Sequence, residues 1–441
     1  MAIRRLLVLA TMLAACGVHG GDRDGGAIDG GAPGDACLPC VDARADARID
    51  ASDGSVAPAA PVLYPLGRLH SPITASVASR LRAIGHTGST ANVFAKVGDS
   101  ITAMSSFATC FDHDYQLASH ASLEPTRAYF AAGDAAGSSP FGRTSLAATG
   151  GWQTSDELAG TPCPLDQEES AIAPLYSVVL LGTNDNRYGR SPIAYGHDLW
   201  TIVDNLIGDG TIPILSTIPP VNGDTSTDAR VPLFNRIVRA IAQGRQVPLV
   251  DFHDAIVSLP NRGISSDGLH PTVSPSGACD LSASALQYGF NVRNLITVEA
   301  LDRTRTALAG SPPDSTAATR AGAGTHASPV LGSLPLVDLA DTHDGDSGFA
   351  QYACDATARS GHEIVYKLNL ASRITIGAYL IEHGATDASV HVLAGSLATS
   401  ACVASGTSTL TATVGPGTIY IVVDTTTAAT EGEYALVVEP E

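Results

Sequence analysis

Four short apolar runs alternate along the chain with segments of helical periodicity: Asn92-Val93-Phe94-Ala95-Lys96-Val97, Tyr176-Ser177-Val178-Val179-Leu180-Leu181, Thr211-Ile212-Pro213-Ile214-Leu215-Ser216 and Val247-Pro248-Leu249-Val250. The intervening helical patterns include Gly196 to Leu206 and Pro232 to Ala242. This alternation constrains the fold more than any other feature, because strands joined by helix-length crossovers pair in parallel and have helices on both faces. The second run is apolar enough to be buried on both sides. The expected class is α/β, and in such sheets chemistry collects at the carboxyl ends of the strands. Two polar motifs fall there: Gly98-Asp99-Ser100 directly after the first run and Gly182-Thr183-Asn184-Asp185 after the second. A third, Asp267-Gly268-Leu269-His270, follows the fourth run.

Together the motifs supply a hydroxyl, an amide and an imidazole with a carboxylate three residues before it. A serine hydroxyl attacks well only when a base takes its proton, and imidazole, which titrates near neutrality, suits that role. A carboxylate on the other ring nitrogen fixes the tautomer and stabilises the imidazolium. The small Gly268 permits a tight turn that brings Asp267 under the ring, and Pro271 stiffens the exit. The negative oxygen of a tetrahedral intermediate also needs donors. Asn184 offers a side-chain amide, Ser100 its own N–H, and Thr149-Gly150-Gly151-Trp152-Gln153-Thr154 a glycine whose backbone approaches closely.

Gly98-Asp99-Ser100-Ile101, Gly151 followed by Thr154-Ser155-Asp156, Gly182-Thr183-Asn184-Asp185 and Asp267-Gly268-Leu269-His270-Pro271 resemble, in order, the blocks of the SGNH, or GDS(L), hydrolases. The resemblance implies a flavodoxin-like three-layer α/β/α fold and ester hydrolysis through an acyl-enzyme, with Ser100 as nucleophile, His270 as base and Asp267 orienting it. Ser100, Gly151 and Asn184 would form the oxyanion hole. Gly151 is preferred over Gly150 only by its spacing to Thr154. The segment from Ala103 to Arg143 is long for such a domain and suggests a covering loop. No His-Glu-x-x-His and no Gly-x-Ser-x-Gly elbow occurs, and the mechanism needs neither metal nor organic cofactor. A second Gly-Asp-Ser, at Gly345-Asp346-Ser347, lacks a preceding strand and reads as a turn or a cation loop. His113, His120, His197 and His253 read as surface or structural residues. Two other readings fit the same motifs: a catalytically inactive surface-binding protein, and an acyltransferase that passes the Ser100 acyl group to an alcohol.

The 441 residues allow two or three domains, and 44 acidic against 25 basic side chains exclude the basic surface that nucleic acid requires. Residues 1–16 read as an export signal: Arg4-Arg5 precedes an apolar run far shorter than the ~20 residues of a membrane span. Its end, Leu13-Ala14-Ala15-Cys16, resembles the bacterial lipobox, which implies lipidation at Cys16, membrane anchoring and, with Gly17 next, an outer-membrane or cell-surface location. Residues 17–61 are almost all Gly, Ala, Asp, Arg, Ser and Pro, too poor in large apolar groups to pack, and read as a tether. The catalytic unit is expected over 62–308, a linker over 309–328 and a second domain over 329–441.

In that last stretch the period changes to two. Arg373 to Ile376, Ser389 to Leu393, Leu410 to Val414 and Thr418 to Val423 read as strands of an all-β sandwich. Gly415-Pro416-Gly417-Thr418-Ile419-Tyr420 and Gly432-Glu433-Tyr434 resemble the end of the bacterial pre-peptidase C-terminal domain, which implies an accessory module. Export favours disulfides. Cys354 with Cys402 is the expected pair there and Cys37 with Cys40 the expected pair in the tether; in the catalytic unit Cys110 and Cys163 could bridge two loops, with Cys279 unpartnered or competing for one of them, and the sequence leaves this pairing open.

Overall fold

The computed structural model describes residues 60–85 and 88–441. The expected signal segment, Cys16, Cys37, Cys40 and the expected tether before residue 60 lie outside the described residues. Strands β1 (Thr90–Gly98), β2 (Pro174–Leu180), β3 (Ile212–Ser216) and β4 (Leu249–Val250) form one parallel sheet in that order. On the free side of β1, Ala148 makes a single parallel bridge to Gly98. The first excursion of the chain therefore passes one side of β1 and the later strands add on the other, the flavodoxin-like arrangement, which opens a crevice at the carboxyl end of β1.

Helices α1 (Ala75–Ile84), α2 (Ser100–Ala103), α3 (Glu124–Ala131), α4 (Thr154–Glu157), α5 (Pro164–Ile172), α6 (Thr183–Arg187), α7 (Pro192–Gly208), α8 (Thr225–Arg245), α9 (Phe252–Val257) and α10 (Gly289–Leu308) complete this unit. The strand period of two divides its core. Val179 packs with Leu81 of α1, Trp200 of α7 and Ile237 of α8, while its neighbour Val178 packs on the other face with Phe130 of α3, Phe252 of α9 and Ile296 of α10. Among the described residues no helix is long and apolar enough to cross a membrane.

The segment after α2 is held into this second core rather than left as a covering loop. Phe107, Phe111, Phe130 and Phe141 are fully buried, and Phe94 meets the rings of Phe130 and Phe141 edge-on at 5.5 and 5.2 Å. Asn294 on α10 accepts the Ala108 N–H and donates to Ser106 O. The disulfide closing this segment is Cys110–Cys279. Of the pairings the sequence leaves open, Cys110 thus takes Cys279 and not Cys163, which is buried in the opposite core behind the sheet. The cause is topological: the Cys110 segment runs beside residues 279–281, with Gln116 N–H donating to Cys279 O and Leu281 N–H to Gln116 O.

Beyond α10, β5 (Val330–Gly332), β6 (Leu336–Asp341), β7 (Glu363–Leu370), β8 (Ile374–Glu382), β9 (Ala388–Ala394), β10 (Cys402–Gly406), β11 (Thr409–Val414), β12 (Gly417–Thr425) and β13 (Glu433–Pro440) form two facing sheets, ordered β10-β9-β12-β7-β5 and β11-β8-β13-β6. Cys354–Cys402 is bonded as expected. Alternation along β13 sends Tyr434, Leu436 and Val438 into the sandwich and Ala435 and Val437 outward, where with Leu339 and Ile381 they join the α7–α8 core. The helices α7 and α8 are thus covered by a sheet on each side. Arg245 bridges Asp204 of α7 and Glu433 of β13, and Trp200 stacks on His383 at 4.6 Å.

Candidate active site

The crevice above β1 is built by one-turn helices. Gly98 ends β1 where nothing larger fits: a Cβ there would stand 2.3 Å from Thr102 Oγ1 and 2.6 Å from Leu180 O. Asp99 caps α2 by accepting the Ile101 N–H at 2.9 Å, which puts Ser100 at the first position of the helix with its N–H outside the helical ladder. The motif is a strand end, a cap and a presented hydroxyl.

His270 comes from 170 residues away and lies with Nε2 2.8 Å from Ser100 Oγ. Its Nδ1 lies 2.7 Å from Asp267 Oδ2. With Nδ1–H donated to Asp267, Nε2 is left to accept the serine proton. The other oxygen of Asp267 accepts from Ser265 Oγ, Leu269 N and His270 N at 2.7, 2.9 and 3.0 Å. Partial burial pushes the Asp267 carboxyl up, but these donors and His270 outweigh it and hold it well below the usual carboxylate range. The turn that achieves this depends on Gly268, whose φ of +80° leaves no room for a side chain: a Cβ would lie 2.3 Å from Asn222 O.

Asn184 stands in α6, past the end of β2, almost fully buried, and donates one Nδ2–H to Trp152 O at 3.0 Å. The glycine turn is brought beside Ser100 because residues 147–149 run along β1, with Gly98 N–H donating to Ala147 O and Thr149 N–H to Gly98 O. Of the two glycines, Gly150 lies against Ser100: its Cβ position is 3.7 Å from Ser100 Cβ. Gly151 takes φ +89°, with no heavy atom within 4 Å of where its Cβ would be. None of His113, His120, His197 and His253 is hydrogen-bonded to Ser100, Asp267 or His270 among the described residues.

Two positions without an expected role complete the arrangement. Asp185, fully buried, accepts from Thr154 Oγ1 at 2.7 Å and from Thr154 N at 3.1 Å. It ties the amide-bearing helix to the glycine turn. Burial raises its carboxyl, while Thr154 and Arg190 oppose the shift. The acidic end of Gly182-Thr183-Asn184-Asp185 was the available clue. Arg293, on α10 beneath α2, carried no sequence signal; it donates to Ile101 O and to Thr102 Oγ1.

Hydroxyl, imidazole and carboxylate in line, beside a buried amide and a glycine turn, form an arrangement suited to acyl transfer through a serine ester. No curated protein matches the chain. Among solved structures, a GDSL-like lipase from Bacteroides thetaiotaomicron is 13% identical, covering 51% of this chain and 98% of its own at a TM-score of 0.32. A carbohydrate esterase of family 3 from Talaromyces cellulolyticus is 18% identical, covering 47% and 97% at a TM-score of 0.32. The pre-peptidase C-terminal domain of a Bacillus anthracis collagenase is 17% identical, covering 25% and 92% at a TM-score of 0.19. Residues 97–274, the span that holds all three motifs, match the GDSL-like Lipase/Acylhydrolase family, and the chain carries a hydrolase domain of this SGNH type.

Proposed function

We propose that this ester hydrolase works through Ser100, His270 and Asp267, with the acyl group passing through a Ser100 ester. The observation that carries the reading is the continuous relay from Asp267 Oδ2 through His270 to Ser100 Oγ, with contacts of 2.7 and 2.8 Å. As Ser100 Oγ bonds to the ester carbonyl carbon, its proton moves to His270 Nε2. The carbonyl oxygen gains the negative charge and meets the Ser100 N–H, an N–H of the Gly150-Gly151 turn and the Asn184 N–H not engaged by Trp152. Collapse breaks the carbon–oxygen bond to the alcohol, which leaves with the proton from His270. Water then repeats the sequence on the acyl-enzyme and frees the acid.

An open cavity of about 510 Å³ flanks the Asp267 loop, lined by Arg187, Asn222, Asp224, Asn261 and Ser265 among others. An exported enzyme of this kind acts on an extracellular glycan or lipid ester rather than on a metabolite. Export is supported by the signal segment ending in Cys16 and by the two disulfides, which persist in oxidising compartments. Lipidation at Cys16 would anchor the enzyme to a membrane, on the outer face of the cell. The test is hydrolysis of a short-chain chromogenic ester and of acetylated glycans by the full chain. Activity that vanishes in Ser100→Ala supports the reading; equal rates in both proteins contradict it.

A further inference from the structure

We propose that Arg293 is a positioning residue for the nucleophile and acts as the charge partner of Asp99; this rests on the Ser100 reading above. Helix α2 is a single turn of four residues, and a helix that short does not hold itself in place. Its two ends are fixed from outside. At the start, the Asp99 carboxylate accepts the Ile101 N–H; on the carbonyl side, the Arg293 guanidinium donates to Ile101 O and to Thr102 Oγ1, the latter at 2.8 Å. The guanidinium also stacks 3.7 Å from the centroid of the Phe107 ring, so the segment after α2 is clamped by the same side chain.

Both groups are buried beyond the reach of water, Asp99 at 0% and Arg293 at 2% exposure. The two groups meet at Ile101, whose N–H donates to Asp99 and whose carbonyl accepts from Arg293, with no direct ion pair between them among the described residues, and Asp99 Oδ2 accepts no hydrogen bond. Burial pushes the Asp99 carboxyl up to about 6 and Arg293 down to about 9, each shift opposed by the other group. The location gives the pair a consequence for the reaction. Negative charge develops at the Ser100 N–H in the transition state, one residue from Asp99, where an uncompensated carboxylate in low dielectric would oppose it. Arg293 cancels that charge while holding the turn that aims Ser100.

The test is a cycle of Arg293→Met, Asp99→Asn and the double variant in the full chain, with kcat and KM followed from pH 5 to 9 on a short-chain ester and Ser100→Ala run alongside. Arg293→Met is expected to lower kcat about 10- to 100-fold, the scale of a small misplacement of a reacting group, with KM within about twofold. With its counter-charge gone, the Asp99 carboxylate opposes the developing oxyanion until it takes up a proton, so the loss in Arg293→Met is expected to be smaller toward pH 5 than at pH 9. The double variant should lose no more than the worse single one, because the two act as a unit. Arg293→Lys, which keeps the charge without the fork, should recover part of the loss, and it carries the same cycle should Arg293→Met not fold. A folded Arg293→Met with wild-type kcat and pH profile, or losses that multiply in the double variant, overturns the proposal. Activity retained in Ser100→Ala would instead overturn the nucleophile assignment itself.

Discussion

Gly244, near the end of α8, faces Leu339 of β6 so closely that a Cβ at position 244 would stand 2.4 Å from the Leu339 Cβ. Gly196 on α7 meets Ile381 in the same way, at 2.9 Å. These glycines let the sandwich approach the helices, and that approach makes Leu339, Ile381, Ala435 and Val437 part of the hydrolase core. A Gly→Ala change inside a helix ordinarily adds up to about 1 kcal/mol of stability. Here the methyl has no space, and overpacking costs about 1–3 kcal/mol. Gly244→Ala should therefore lower the urea midpoint of the full chain; a raised midpoint would show that the sandwich does not press on α8.

Asn184 is expected to act on turnover rather than on binding. Removing one oxyanion donor typically costs about 10²–10³ in kcat. Steady-state kinetics of Asn184→Ala should show that loss with KM changed by less than about threefold, and a melting temperature close to wild type. A loss confined to KM would place Asn184 in substrate binding instead.

Glu169 of α5 is buried with only Thr211 Oγ1 on one oxygen, at 2.5 Å, and burial pushes its carboxyl up to about 8. An acid whose pKa is raised in the folded state holds a proton that the unfolded chain releases. Its contribution is full below the ordinary carboxylate pKa and is lost as pH rises toward 8, by up to about 1.4 kcal/mol per pH unit. Glu169→Gln should gain stability relative to wild type at pH 8 and show little gain at pH 5, read from urea unfolding at both values. Equal differences at the two pH values would contradict the assignment.

The Cys110–Cys279 bridge spans 169 residues of sequence. Peptide mapping without reduction should recover these two cysteines in one linked fragment. Replacing both by Ser should cost about 2–5 kcal/mol. A fragment linking Cys110 to Cys163 would contradict the pairing.

The parallel sheet and the serine–histidine–carboxylate set were legible because each rests on local pattern. Val178 and Val179 read as a doubly buried strand, and Ser100, Asn184 and His270 each follow a turn at a strand end or loop that sequence marks with glycine. What escaped depends on meetings between distant segments. The Cys279 loop reaches Cys110 only because Gln116 pairs beside it, and spacing does not encode that. Arg293 sits on a helix buried on nearly all sides, where a cation has no periodic signature. The strands β6, β7 and β10 were missed because residues such as Asp338, Glu363 and Ser405 break their apolar alternation; Asp338 and Glu363 are themselves buried, with Tyr366 OH donating to Asp338. Glycines such as Gly244 weaken a helical pattern in sequence, and their use appears only once the partner sheet is in place.

The most direct test of the account is covalent: a fluorophosphonate ester added to the full chain, with the modified residue located by tandem mass spectrometry. The Ser100–His270 relay predicts a single adduct, on Ser100, formed in step with the loss of esterase activity and abolished in His270→Ala. An adduct on another residue, or full ester hydrolysis with Ser100 replaced by Ala, would contradict it.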